Sequence, residues 1–219
     1  MNTFFNRDGY IICNTQLSPA KCDKLAAEVE RIHETCVVLQ LEFPEMKRLG
    51  DWSVENPHQA SSVISEWVMS KYCIDTCSAL LGGNVKLYWA GTAHKPSLTG
   101  KIFPWHQDSG YGEGPLEFVT CWMALDQVDE ENGCIWVIPG SHLGQVAPHE
   151  LKKSDDSTYG GAFLTDQPSN LETAIPVRLR PGEMVFFSSK LIHESRSNLS
   201  SRKRRGIISS YAIDSWFSN

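Results

Sequence analysis

The sequence predicts a mainly β protein, an all-β sandwich or barrel with helices packed outside it near the N-terminus. Three observations carry that expectation. Apolar residues recur at steps of three and four before Gly83, and short β-rich runs replace them afterwards. Gly and Pro then punctuate the β-rich half at short intervals, as in sandwiches and barrels.

Phe5–Cys13 reads as a short leading strand with a turn at Asp8-Gly9. Ser18 and Pro19 make an N-cap and a first-turn proline. From there Cys22, Leu25, Val29, Ile32 and Cys36 form one apolar stripe, predicting a helix over about 19–39. A second helical pattern joins Val63, Trp67, Ile74, Cys77 and Leu81, and Gly82-Gly83 can end it. The predicted strands are Val85–Ala90, Ile102–Gln107, Phe118–Leu125, Cys134–Ile138, Ile175–Leu179, Met184–Ser188 and Arg205–Ala212. One irregular segment, 142–174, interrupts them. A loop of that length suggests a lid or a binding loop. The expected organisation is one domain over 1–219, with helical support in 1–83 and a β core in 84–215.

With 41% hydrophobic and 21% charged residues, the 219-residue chain has material for a sizeable core. A net charge of −6 argues against a global grip on nucleic acid or anionic lipid. The charge is uneven, however. No acid occurs from Ser195 to Ile213, where Arg196, Arg202, Lys203, Arg204 and Arg205 stand. No run approaches the roughly 18 apolar residues of a membrane span, and Met1–Cys13 lacks an apolar signal core. Seven cysteines without a CxxC pair read as free thiols in a reducing compartment, so a cytoplasmic location is expected.

Two constellations could carry chemistry. In His106-Gln107-Asp108, strand alternation points His106 and Asp108 to one side, among Phe103, Trp105 and Tyr111. Such a tripeptide is common by chance, and its aromatic surroundings are what suit a pocket. His193, in Leu191-Ile192-His193-Glu194-Ser195, closes an apolar run and could be a satisfied core histidine. With His106 and Asp108 it would complete two histidines and one carboxylate, a facial triad that leaves positions open on iron. Arg204, eleven residues on, could aim a guanidinium at a carboxylate one small molecule away.

These pieces occur in an order that resembles the phytanoyl-CoA dioxygenase family of iron(II)- and 2-oxoglutarate-dependent oxygenases. The matching residues are Asp8-Gly9-Tyr10, His94-Lys95-Pro96, Trp105-His106-Gln107-Asp108 with Tyr111, and Thr120-Cys121-Trp122-Met123-Ala124-Leu125. Asn132-Gly133-Cys134, Pro139-Gly140-Ser141-His142, Pro181-Gly182-Glu183 and His193 through Arg205 follow. The resemblance covers roughly residues 1–215. It implies a double-stranded β-helix, the cupin-like jelly roll, and makes His106, Asp108 and His193 the iron ligands. It pairs Arg204 with the far carboxylate of 2-oxoglutarate and adds hydroxyl contacts from Thr120 and Ser195. Phe103 would pack on the co-substrate, and Trp122 would line the same pocket.

The implied reaction consumes O2 and 2-oxoglutarate, releases succinate and CO2, and oxidises an unactivated C–H bond of a small metabolite, with secondary metabolism the expected setting. Asp108 favours hydroxylation over halogenation, because halogenating relatives replace that carboxylate with a small residue. Desaturation, cyclisation and epimerisation remain alternatives, as do a zinc hydrolase and a non-catalytic metal-binding protein of the same fold. Tyr111, Trp136 and the 142–174 segment are candidate substrate or lid elements. Ser109-Gly110-Tyr111-Gly112 departs from the family's early aromatic and suggests an open substrate side. Trp89 stands where some relatives carry a polar co-substrate contact, so that role is not transferred. A small-molecule substrate is expected, with no nucleic-acid or membrane partner; Arg202 and Lys203 read as a solvated turn.

Overall fold

A computed structural model describes residues 2–112 and 114–218. Helix α1 (Asn2–Asp8) leads into β1 (Tyr10–Asn14). The expected leading strand is therefore helical in its first part. Phe5 is buried among the helices, and the Gly9 amide closes the helix on the Phe5 carbonyl at 2.8 Å. Helix α2 (Pro19–Leu39) has the predicted bounds, with the Ser18 hydroxyl accepting from the Lys21 amide. Its stripe of Cys22, Leu25, Val29, Ile32 and Cys36 is buried, each larger side chain contributing about 1.5–3 kcal/mol.

Strands β2 (Lys47–Leu49) and β3 (Ser53–Glu55) come next. The second helical pattern is two helices, α3 (Ser62–Val68) and α4 (Lys71–Leu81). The break falls at Met69-Ser70, where the Ser70 hydroxyl accepts from the Cys73 amide and starts a new helix.

The β half comprises β4 (Val85–Lys95), β5 (Phe103–His106), β6 (Phe118–Ala124), β7 (Ile135–Val137), β8 (His149–Lys152), β9 (Gly161–Leu164), β10 (Ile175–Val177), β11 (Glu183–Ser188), β12 (His193–Ser195) and β13 (Arg204–Ile213). A seven-stranded sheet runs β1-β11-β6-β13-β4-β3-β2, and a four-stranded sheet runs β10-β7-β12-β5. Every strand pairing is antiparallel. With helices confined to one side, this is the jelly-roll arrangement the resemblance implies.

The large sheet is buried on both faces, which explains its near-continuous apolar runs. Val119, Cys121, Met123, Met184, Phe186, Ile207 and Tyr211 belong to the cluster shared with the helices. Alternating with them, Trp122, Ala124, Val185 and Phe187 belong to the inner cluster. The segment 142–174 is less irregular than expected, because β8 and β9 pair as an antiparallel hairpin.

Candidate active site

Strands β5 and β12 are neighbours in the smaller sheet, and His106 lies directly opposite His193. Their rings stand 4.0 Å apart, centroid to centroid. Asp108 opens the short turn after β5. Its Oδ1 is 3.6 Å from His106 Nε2 and 3.7 Å from His193 Nε2.

Each imidazole is oriented by its own backbone. His106 Nδ1 is 2.8 Å from the Pro104 carbonyl, and His193 Nδ1 is 2.9 Å from the Leu191 carbonyl. A carbonyl only accepts, so each Nδ1 carries the hydrogen and each Nε2 presents a lone pair toward Asp108. The three donor atoms lie within 4.8 Å of one another. Neighbouring ligands of a six-coordinate ion with bonds of about 2.1 Å stand about 3 Å apart, so small side-chain adjustments close the set. Two neutral nitrogens and one carboxylate oxygen fit iron(II) with open positions.

Burial is the main cause that pulls the His193 imidazole down to about 4. Burial alone would raise the Asp108 carboxyl, but its interactions with the two histidines and with Thr120 hold it below the usual range. At neutral pH both are in their ligand forms.

The outer oxygen of Asp108 is also held. Thr120 Oγ1 donates to Asp108 Oδ2 at 2.6 Å and lies 3.1 Å from Ser210 Oγ. The resemblance assigns the Thr120 hydroxyl to the co-substrate; here it is spent on the metal-side carboxylate. That leaves Oδ1 turned toward the two imidazoles.

A cavity of about 660 Å³ opens beside the triad, and Phe103, Tyr111, Thr120, Trp122, Ser195 and Arg204 all line it. Phe103 packs edge-on against His106 at 4.8 Å. Trp136 is not brought to it. Strand β7 turns Ile135 into the cavity, while Trp136 lies under the Arg196 guanidinium at 3.7 Å.

Arg204 is only 3% exposed. Its Nη1 donates to the Gly133 carbonyl at 2.6 Å, its guanidinium lies 5.0 Å from the centre of the Trp122 ring, and its Nε is buried without a partner. Burial draws it down to about 10. Its basic neighbours are paired: Arg205 with Asp126 and Glu30, Arg202 with Asp129 and Glu131, and Lys203 with Glu30. The expected solvated turn is thus an ion-paired surface, and Arg204 forms none of its salt bridges. A buried guanidinium without a carboxylate is costly unless a guest anion completes it.

The glycine-rich stretch after Asp108 does not open the site. A Cβ on Gly110 would stand 2.3 Å from His149 Nε2. The His149 ring, from the β8–β9 hairpin, occupies that space and accepts the Gln107 amide at 2.9 Å. The hairpin segment supplies Ser154, Tyr159, Gly160 and Gly161 to the cavity wall.

Sequence reasoning missed several wall residues. Trp52 and Glu55 come from and beside the three-residue strand β3, too short for a periodic signal. Lys95, 2% exposed, donates to the carbonyls of Lys101, Ser195 and Arg196. Its only signal was its place between His94 and Pro96.

A jelly roll with this triad and this arginine defines a class of enzyme, the 2-oxoglutarate-dependent non-haem iron dioxygenases. The sequence profile of Phytanoyl-CoA dioxygenase (PhyH) matches residues 5–206, so the chain belongs to the phytanoyl-CoA dioxygenase family. It is similar to a probable phytanoyl-CoA dioxygenase of Caenorhabditis elegans, 26% identical over an alignment of 230 positions that covers 96% of this chain and 74% of that protein. It also resembles phytanoyl-CoA dioxygenase domain-containing protein 1 of Bos taurus, 33% identical over 114 residues, which are 51% of this chain and 39% of the bovine protein. Among solved structures, EctD from S. alaskensis with 2-oxoglutarate and 5-hydroxyectoine shares the fold. Its TM-score is 0.78 at 21% identity, covering 98% of this chain and 76% of that one. Among the described residues, no helix is long and apolar enough to cross a membrane.

Proposed function

We propose that this dioxygenase hydroxylates an unactivated C–H bond of a small metabolite in secondary metabolism. Substrate, O2 and 2-oxoglutarate would yield the alcohol, succinate and CO2, which balances atoms and electrons. The observation that carries the reading is the pairing, in one cavity, of the His106–Asp108–His193 donor set with a buried Arg204 that forms no salt bridge among the described residues.

Bound iron(II) supplies the redox chemistry that couples 2-oxoglutarate decarboxylation to C–H oxidation. The chain supplies the rest. His106 and His193 offer Nε2, and Asp108 offers Oδ1 while Thr120 fixes its other oxygen. Arg204 receives the far carboxylate of 2-oxoglutarate, flanked by Trp122 and the Ser195 side of β12. Phe103, Phe163 and Trp52 form an aromatic wall against His106 that excludes water. The retained Asp108 favours hydroxylation, since no small residue frees a position for halide. EctD was solved with a hydroxylated small molecule, in keeping with this outcome.

Anaerobic titration with iron(II) and 2-oxoglutarate, followed by a metabolite screen for substrate-stimulated succinate, tests the reading. His193→Ala is expected to abolish turnover; full activity in that variant would overturn the triad.

A further inference from the structure

The cavity wall away from Arg204 carries a feature that the dioxygenase reaction does not use. Across the large sheet, Thr120 pairs with Ser210 and Ser210 with Trp89, on neighbouring strands. Strands stand about 4.8 Å apart, so Trp89 is level with the residue that holds Asp108, two strands away. On the next strand Glu55 lies opposite Gly91. The Trp89 indole Nε1 donates to Glu55 Oε1 at 3.1 Å. Only glycine at position 91 allows this, because a Cβ there would stand 2.5 Å from the indole ring.

The charges of the cavity are segregated. Arg204 lies opposite Lys95 at one end of the β4–β13 pair, four residues along β4 from Gly91. At about 3.4 Å per residue that is roughly 14 Å. Among the described residues, the acids lining the cavity are Glu55, Asp108 and Glu194. Asp108 belongs to the metal, and Glu194 pairs with Arg196 at 3.0 Å. The Lys95 ammonium is taken by three carbonyls. Glu55 accepts the indole N–H and, among the described residues, enters no salt bridge; Lys47, opposite it on β2, is exposed. Around it the wall is aromatic, with Trp52, Tyr88, Trp89 and Tyr111.

We infer that the organic substrate is an amine, bound as its ammonium ion by the Glu55 carboxylate and the aromatic faces beside it. This rests on the dioxygenase reading above. A carboxylate among ring faces attracts a cation through both the ion pair and the ring quadrupoles. A neutral substrate would leave the carboxylate with the indole N–H and no counter-charge, and an anionic one would be repelled.

Anaerobic calorimetry on the iron- and 2-oxoglutarate-loaded protein tests this with three probes of similar size: 2-phenylethylamine, 2-phenylethanol and 3-phenylpropionate. The amine is expected to bind about tenfold or more tightly than the alcohol, with the carboxylate weakest. Glu55→Gln is expected to bring amine and alcohol within about threefold of each other. Equal binding of alcohol and amine, no binding of amine up to about 10 mM, or a preference that survives Glu55→Gln would overturn the inference. If that variant does not fold, the ranking in the parent protein decides. Loading is followed by the visible absorbance of the iron–2-oxoglutarate complex. Failure to load overturns the dioxygenase reading separately, and the probe ranking on the metal-free chain still judges the amine.

Discussion

At Arg204 stability and the proposed function pull in opposite directions. Its guanidinium is buried with one hydrogen bond, one aromatic neighbour and an orphaned Nε. The missing carboxylate makes the empty protein pay a desolvation cost that a bound dicarboxylate would offset. Arg204→Met is therefore expected to melt a few degrees higher than the parent without 2-oxoglutarate, and to lose the rise in melting temperature that 2-oxoglutarate produces. Arg204→Ala should raise the half-saturating 2-oxoglutarate concentration by about 30- to 100-fold, as loss of a charged hydrogen-bonding partner does. A saturation curve that matches the parent's would remove Arg204 from the co-substrate. Thr120 acts one step back from the iron site, through Asp108 Oδ2. Thr120→Val keeps the shape and deletes the donor, so iron(II) affinity should fall about 10- to 100-fold. Titration of the apoprotein with iron(II) reads this directly, with no turnover required.

At the scale of elements, legibility followed the strength of the local signal. Helix α2 was readable to the residue because its cap, proline and stripe agree. The α3–α4 break was hidden, since Ser70 restarts the helix without disturbing the apolar spacing. Strands β2 and β3 were invisible at three residues each, although β3 and its flank bring Trp52 and Glu55 to the cavity. The triad was legible because strand alternation joins His106 to Asp108; its closure by His193 needed the cross-strand register, which no local pattern encodes. The hairpin's docking was equally hidden, since His149 and Gly110 meet only in three dimensions. Gly110→Ala sets a methyl group against the His149 ring and should free the hairpin. Hydrogen exchange over 149–164 is expected to quicken, with slower turnover. Unchanged protection would show that the hairpin is held elsewhere.

At the scale of the whole molecule, the net charge of −6 hides a second pattern, the burial of histidines in their neutral form. Burial is the leading cause that lowers His33, His58, His94, His142 and His149, and it takes His33 down to about 3. His33 Nε2 lies 2.7 Å from the Thr92 hydroxyl, which also accepts the Val54 amide, while its Nδ1 is buried without a partner. Protonation would put a buried charge there, with a second N–H that has no acceptor. A histidine whose folded value lies below its unfolded value of about 6.5 takes up its proton more readily when unfolded. The stability it contributes is complete above about pH 6.5 and is lost progressively as pH falls toward the folded value. For His33 alone the loss by pH 5 is about 2 kcal/mol, a large share of a stability of about 5–15 kcal/mol. The depressed carboxylates, such as Glu130 at about 2 beside Arg178, act only below the carboxylate range. Loss of stability is therefore expected to begin near pH 6.5, well before carboxylates titrate. Urea unfolding of the metal-free protein at several pH values measures it: the free energy should fall between pH 7 and 5, with net proton uptake on unfolding. A flat profile over that interval would mean that the buried imidazoles gain hydrogen-bond partners, such as internal water, that stabilise their charged forms.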